Sequence, residues 1–201
     1  NALRIRDLAG AAAAAVHVHA GASGPLLFPL ETAEFVCGPD GLAGAGLPPP
    51  ASEASPGHAV EAIIALCRAA PDDGITLCPL GPLTNLALAF RLAPDILPKV
   101  KRIVLMGGAL GLGNMTPAAE FNVHVDPHAA AIVFGSERPI VMMGLGVTLQ
   151  AIASPEQVAR IGAIPLRCRL GRRADMNPAE ILIVRARPEH RRKARRDFQI
   201  S

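Results

Sequence analysis

Residues 103–127, IVLMGGALGLGNMTPAAEFNVHVDP, are the stretch on which the interpretation of this sequence depends. The first four residues form an apolar run rich in β-branched side chains that ends at Gly107 and Gly108, which predicts a strand buried on both faces. The last two residues, Asp126 and Pro127, predict the start of a helix, with Asp as the N-cap and Pro at the first helical position. The stretch therefore reads as a buried strand, a long loop and a helix.

The loop between that strand and that helix has little hydrophobic periodicity and carries Asn114, Thr116, Glu120 and Asn122. Connections of this length are usually functional or disordered. One carboxylate and two carboxamides close together are suited to hold a single polyhydroxyl ligand. The alternative is an ordered surface loop whose polar side chains serve only turns, and the spacing alone leaves both interpretations open.

Strands and helices alternate along much of the chain. Residues 75–80, 83–92 and 102–106 read as strand, helix and strand, a βαβ unit that implies parallel strands. The alternation continues through a predicted strand at 139–147 to a helix with Ser154 as its N-cap and Pro155 at its first position. The pattern predicts an α/β fold with a mainly parallel open sheet and helices on both faces. Ligands of such sheets bind beyond the carboxyl ends of the strands, which is where the long loop begins.

The part of the chain before this unit is less regular. Residues 16–19 alternate apolar and polar side chains and predict a short strand. Residues 55–58 lead into a helix, which has an apolar stripe at Val60, Ile63, Ile64 and Cys67.

Composition places the chain among globular proteins of one domain. Half of its 201 residues are hydrophobic, which is enough for a core. No apolar run approaches the roughly 20 residues that cross a membrane, and no signal peptide is visible. The sequence therefore predicts no membrane partner.

Cysteine and histidine spacing gives little support for a metal site. The cysteines form no close CxxC pair, so neither a zinc site nor a disulfide framework is predicted. Cys67 and Cys78 have apolar neighbours and are expected to be buried thiols, which points to a cytoplasmic location. His17 and His19 share one strand face, but two histidines without a third ligand are more often a half-exposed face. The four cysteines are Cys37, Cys67, Cys78 and Cys168.

Motifs spread over residues 80–127 resemble those of the inosine-uridine preferring nucleoside hydrolase family. The resemblance runs in unbroken order from Asn1 to about Ile164. The motifs are LGPLTNLA at 80–87, MGGA at 106–109, GN at 113–114, TPAAEFN at 116–122 and DP at 126–127.

This resemblance implies an enzyme that hydrolyses the N-glycosidic bond of purine or pyrimidine ribonucleosides to base and ribose. It also implies a tightly bound calcium ion, to which the backbone carbonyl of Leu80 is a ligand, and a homodimer or homotetramer. By resemblance, Asn114 and Glu120 contact the 5′-hydroxyl side of the ribose and Asn122 contacts its 2′/3′-diol. The substrate-binding residues that the resemblance implies are Met106, Asn114, Glu120, Phe121 and Asn122.

Other features of the family are missing from this sequence. The aspartate-rich motif that supplies the calcium carboxylates and the general base is absent, and no His-Asp pair follows Leu145. Cys37 and Gly146 stand where the family commonly has histidine and aspartate. We therefore expect a fold incomplete at both ends, no catalytic residue in this chain, loss of the calcium ion and negligible turnover. The alternative is a non-catalytic protein that binds a nucleoside or ribose.

The end of the chain is strongly basic. More than half of its 20 Lys and Arg residues lie after Pro165, although the net charge is only +3. We predict a partial nucleoside hydrolase domain at 1–164 and, at 165–201, a basic tail unlike the family that is frameshifted or disordered. The alternative is nucleic-acid binding through the tail, which is disfavoured because no aromatic side chains interleave with the arginines for base stacking.

Overall fold

The computed structural model of the chain describes residues 1–13, 15–163 and 183–186. Its strands are β1 (Val18–Gly21), β2 (Ser55–His58), β3 (Ile75–Leu77), β4 (Val100–Met106), β5 (Ile140–Met143) and β6 (Ile183–Ala186). Its helices are α1 (Ala2–Ala9), α2 (Glu34–Cys37), α3 (Ala59–Ala69), α4 (Thr84–Leu92), α5 (Phe121–Val125), α6 (Pro127–Phe134), α7 (Leu145–Thr148) and α8 (Pro155–Ala163). Short 3₁₀ helices lie at Gly10–Ala13 and Pro94–Lys99.

The strands form two parallel three-stranded sheets. One has the order β2-β1-β6 and the other the order β3-β4-β5. In the second sheet, Ile103 of β4 lies between Leu77 of β3 and Ile140 of β5. Because β3, α4 and β4 follow one another and the two strands are parallel, the predicted βαβ unit and α/β fold are confirmed.

One helical layer and one face of the second sheet form the core. The apolar stripe predicted for α3 faces the core: Val60, Ile63 and Cys67 are buried, and Ile64 is partly buried against them. They cluster with Ile103 and Leu105 of β4 and with apolar residues of α4 and α6. Burial of this stripe against the sheet is what fixes α3, because helices of this length gain most of their stability from packing.

The prediction that residues 103–106 are buried on both faces is wrong. Ile103 and Leu105 are buried, but Val104 and Met106 are only partly buried. The described helices α3, α4 and α6 supply the core on the Ile103 side, and side chains of a strand alternate between faces. Cys78 is likewise exposed, contrary to prediction, because β3 ends one residue before it.

Three other boundaries differ from the predictions. Residues 55–58 form an edge strand before they lead into α3, because Ser55 pairs with His19 of β1. The predicted strand 139–147 ends at Met143; the Leu145 N–H then donates to the Gly108 carbonyl at 3.0 Å, and Leu145–Thr148 form α7. Residues 121–125 form the unpredicted helix α5, which Glu120 caps.

Asp126 is the N-cap of α6, as predicted. Its Oδ1 accepts a 3.0 Å hydrogen bond from the Ala129 N–H, and Pro127 occupies the first turn. The aspartate oxygen satisfies a free amide at the helix start, and the proline, which has no N–H, fits the first helical position without leaving a donor unpaired. The N-cap predicted at Ser154 is also present, because its Oγ accepts from the Gln157 N–H at 3.3 Å.

The prediction of a frameshifted or disordered basic tail at 165–201 falls mostly on residues outside the described part. Of those residues only β6 is described, as a strand parallel to β1. No helix among the described residues is long and apolar enough to cross a membrane.

Candidate functional site

The carboxyl ends of β3, β4 and β5 meet at one edge of their sheet. The Met106 N–H donates to the Pro79 carbonyl at 2.9 Å, which joins the segment after β3 to the end of β4. The Leu145 N–H donates to the Gly108 carbonyl at 3.0 Å, which joins the segment after β5 to the same place. The predicted site loop therefore begins where three segments of chain converge.

The second half of the loop is a compact turn held by its own backbone. The Asn114 N–H donates to the Ala119 carbonyl at 3.0 Å, and the Gly113 N–H donates to the Pro117 carbonyl at 3.0 Å. Thr116 Oγ1 accepts from the Ala119 N–H at 2.9 Å. The turn leaves no room for a side chain at Gly113, where a Cβ would lie 2.3 Å from the Ala119 carbonyl oxygen.

Glu120 is buried, with 2% of its surface exposed. Its Oε2 accepts hydrogen bonds from the Gly108 N–H at 2.9 Å, the Asn122 N–H at 2.9 Å and the Val123 N–H at 3.4 Å. A carboxylate at a helix start is stabilised by these amides and by the helix dipole. Glu120 thereby fastens the start of α5 to the end of β4.

Asn122 is the second polar residue at this point and is 9% exposed. Its Nδ2 donates to the Met106 carbonyl at 3.0 Å and lies 3.3 Å from the Met106 sulfur. These contacts fix the carboxamide plane over the last residue of β4. The side-chain oxygen of Asn122 accepts no hydrogen bond from the described residues.

Asn114 is exposed, but its Oδ1 accepts a 3.0 Å hydrogen bond from the Phe121 N–H. Phe121 stands between Glu120 and Asn122 in sequence, so this bond brings the Asn114 side chain to the start of α5. The structure therefore brings Met106, Asn114, Glu120, Phe121 and Asn122 together at the end of β4 and the start of α5.

Phe121 carries a further contact that sequence spacing gave no means to anticipate. Its ring meets that of Phe35 in α2 edge-on, with centroids 6.5 Å apart. Next to it, His124 Nε2 lies 3.2 Å from Glu31 Oε2. These two contacts attach the segment around residues 31–35 to α5, beside a groove of about 370 Å³.

The described residues do not fit a calcium ion. Calcium takes six to eight oxygen ligands, largely from carboxylates and carbonyls. Leu80 offers one backbone carbonyl three residues after β3, whereas both oxygens of Asp126 are already bound by groups of the protein. In residues 1–13, 15–163 and 183–186 no three His, Cys, Asp or Glu side chains lie close enough to hold a metal.

A larger cleft of about 1120 Å³ lies elsewhere, between β1, β2 and α4. None of the five predicted substrate-binding residues is among those that line it. Thr84 forms part of its wall, and the Thr84 hydroxyl donates to Asp126. Near the cleft, the Asn85 side-chain oxygen accepts from the Ala22 N–H at 2.8 Å. The structural partners of Thr84 and Asn85 were not predicted, because they are far away in sequence.

The sequence matches the family model described as "Inosine-uridine preferring nucleoside hydrolase" over residues 1–190. Among curated proteins, it is 48% identical over 168 residues to an uncharacterised protein of Schizosaccharomyces pombe, covering 83% of this chain and 54% of that protein. It is 47% identical over 146 residues to a pyrimidine-specific ribonucleoside hydrolase of Escherichia coli, covering 73% of this chain and 46% of the relative.

Solved structures show the same likeness. A purine-preferring ribonucleoside hydrolase from Gardnerella vaginalis matches with a TM-score of 0.74 and 34% identity, over 81% of this chain and 52% of that chain. A plant nucleoside hydrolase matches with a TM-score of 0.75 and 32% identity, over 81% and 51% of the two chains. The chain thus spans about half the length of the proteins it matches.

Proposed function

The chain belongs to the inosine-uridine preferring nucleoside hydrolase family, and on that premise we propose that it carries the ribose-binding loop of an enzyme that hydrolyses ribonucleosides to base and ribose. The family and its named relatives are ribonucleoside hydrolases. The observation that carries the proposal for this chain is the convergence of Asn114, Glu120 and Asn122 at the end of β4.

The hydrogen-bonding capacity left over in this cluster suits sugar hydroxyls. Asn122 uses its Nδ2 on Met106, so its side-chain oxygen remains as an acceptor. Asn114 uses its Oδ1 on the Phe121 N–H, so its Nδ2 remains as a donor. Glu120 uses Oε2 on backbone amides and keeps Oε1. A hydroxyl both donates and accepts, so adjacent ribose hydroxyls match this set.

The chemistry of the reaction explains why fixed polar groups around the ribose are useful. When the base leaves, positive charge develops on the ribosyl group, and the enzyme gains rate only from interactions that strengthen as this charge forms. Fixed oxygen acceptors near the ribose stabilise that charge without reorganisation. We assign Asn114 and Glu120 to the 5′-hydroxyl side and Asn122 to the 2′/3′-diol, with Met106 and Phe121 as the neighbouring walls.

We propose that the 201-residue chain has negligible turnover on its own. The described residues supply no carboxylate cluster to hold calcium or to activate water. Glu120, the carboxylate nearest the proposed sugar, is committed to three backbone amides. The same observation favours the alternative, a non-catalytic protein that binds ribose or a nucleoside.

Binding is tested by titration calorimetry of the purified chain with D-ribose and inosine at millimolar concentrations. Heat that saturates, and that is abolished in the double variant Asn114→Ala/Asn122→Ala, supports the proposal. The matched control is Asn1→Ala, which removes a carboxamide bound to the Asp40 and Gly41 carbonyls. Absence of any saturable heat with the wild-type chain would refute ribose binding.

Turnover is tested separately by the release of reducing sugar from inosine and uridine, with and without calcium. We expect release at the rate of the buffer blank. Calcium-dependent release by the wild-type chain would overturn the proposed inactivity while leaving the sugar-binding assignment in place.

Compartment and assembly complete the proposal. Cys37, Cys67 and Cys78 are free thiols in the part of the chain that the structure describes, which supports a reducing compartment such as the cytoplasm. The family resemblance supports a homodimer or homotetramer. Light scattering on the purified protein distinguishes these from a monomer.

A further inference from the structure

Large apolar side chains are exposed on the loop that carries the proposed sugar ligands. Leu110 is 96% exposed and Leu112 is 82% exposed. Leu80, which follows β3 at the same edge of the sheet, is 79% exposed. Isolated exposed leucines need no explanation, but several at one edge beside a binding loop mark an interaction site.

The covalent chain keeps these leucines close to the sugar ligands. Leu112 is two residues from Asn114, and two residues of extended chain span at most about 7 Å. The segment that carries Leu80 also lies close to the start of this loop, because the Pro79 carbonyl accepts a hydrogen bond from the Met106 N–H at 2.9 Å. The apolar side chains and the polar cluster therefore border a single surface.

The stretch that carries Leu110 and Leu112 is less constrained than the rest of the loop. Gly113, Asn114 and Thr116 are held by backbone bonds to Pro117 and Ala119. Residues 109–112, by contrast, form no hydrogen bond with other described residues, and Gly108 before them has φ +75°. No hydrogen bond among the described residues therefore fixes this stretch in place.

We propose that Leu110 and Leu112 form the apolar wall for the base of the nucleoside whose ribose the neighbouring polar cluster holds, an inference that rests on the proposed function. Ligand pockets combine mostly apolar walls with a few fixed polar groups, and bases are held by stacking against aromatic or apolar side chains. Residues 107–119 contain no charged side chain, so this wall suits an uncharged nucleoside.

The test compares D-ribose with inosine and uridine by calorimetric titration of the wild-type chain and of Leu110→Ser/Leu112→Ser. We expect the wild type to bind both nucleosides about tenfold more tightly than ribose, a difference of about 1.4 kcal/mol. In the double variant the affinity for both nucleosides should fall to that for ribose, whereas the affinity for ribose itself stays unchanged. Because both leucines are exposed, the variant is expected to fold, and circular dichroism checks that it does.

The matched control is Leu92→Ser, which removes a leucine that is 70% exposed at the far end of α4. This variant should bind like the wild type. Nucleosides that bind no more tightly than ribose, or a leucine variant that keeps the preference, would overturn this inference while ribose binding still supports the proposed function. A wild-type chain that binds neither ribose nor nucleosides would overturn both.

Discussion

The Thr84 hydroxyl donates a 2.6 Å hydrogen bond to Asp126 Oδ2 in the interior of the protein. The same oxygen accepts from the Leu26 N–H at 2.9 Å, and Oδ1 accepts from the Ala129 N–H at 3.0 Å. One carboxylate therefore joins the start of α4, the start of α6 and the segment that follows β1. It links the loop that follows β1 to the helices that cover the other sheet.

Replacing Asp126 by Ala should therefore destabilise the whole fold. The substitution leaves three donors without their acceptor, and each unsatisfied buried group costs about 1–3 kcal/mol. We expect the free energy of unfolding to fall by at least about 3 kcal/mol for the three groups together, measured by urea denaturation.

The control for this experiment is Asp95→Ala, since Asp95 forms an exposed ion pair with Arg68. Exposed ion pairs contribute little to stability. A fall in stability for Asp126→Ala no larger than that for Asp95→Ala would contradict the linking role of Asp126.

The shape of the sugar-binding loop should depend on Gly113 and not on Gly111. A Cβ on Gly113 would lie 2.3 Å from the Ala119 carbonyl oxygen and 2.5 Å from the Thr116 carbonyl oxygen, both of them backbone atoms. A Cβ on Gly111 would meet nothing within 4 Å. Gly113→Ala must therefore open the turn and displace Asn114.

We expect Gly113→Ala to weaken ribose binding at least about tenfold, which is 1.4 kcal/mol, while Gly111→Ala binds as the wild type does. Titration calorimetry measures both affinities. Equal affinities for the two variants would show that the turn at 113–119 does not position a sugar ligand.

Cysteine reactivity offers an independent check on the core. Burial raises the pKa of the Cys67 thiol to about 11, and only the thiolate reacts with alkylating agents. At pH 8 a raised pKa means less thiolate, so Cys67 should be alkylated far more slowly than the exposed Cys37 and Cys78. Iodoacetamide labelling followed by peptide mass spectrometry measures each site.

Urea serves as the control for the labelling experiment, because the three sites should react at similar rates once the chain is unfolded. Rapid labelling of Cys67 in the absence of urea would contradict its place in the core beside Ile63.

Local chemistry explains why parts of this fold were predictable. The Asp126-Pro127 pair determines a helix start through contacts within four residues, and the α3 stripe follows from the helical period alone. Asn114, Glu120 and Asn122 are close together in the sequence, and hydrogen bonds at the start of α5 bring their side chains to one place.

Features that depend on distant segments were not predictable in the same way. Burial of Val104 and Met106 depends on what covers the second face of the sheet, which no pattern within β4 reveals. Asp126 accepts from Leu26, which is 100 residues away in sequence. Glu120 caps α5 and also accepts a hydrogen bond from the Gly108 N–H, a donor that lies before the loop and that local sequence does not reveal.

We propose that the carboxamides of Asn114 and Asn122 face a bound ribose. The most direct measurement is the NMR spectrum of the chain with ¹⁵N-labelled asparagine side chains, recorded during titration with D-ribose. We expect the side-chain amide resonances of Asn114 and Asn122 to shift and saturate together, while those of Asn85, which is bound to the Ala22 N–H, stay in place. If ribose moves neither Asn114 nor Asn122, or shifts Asn85 alone, the claim is contradicted.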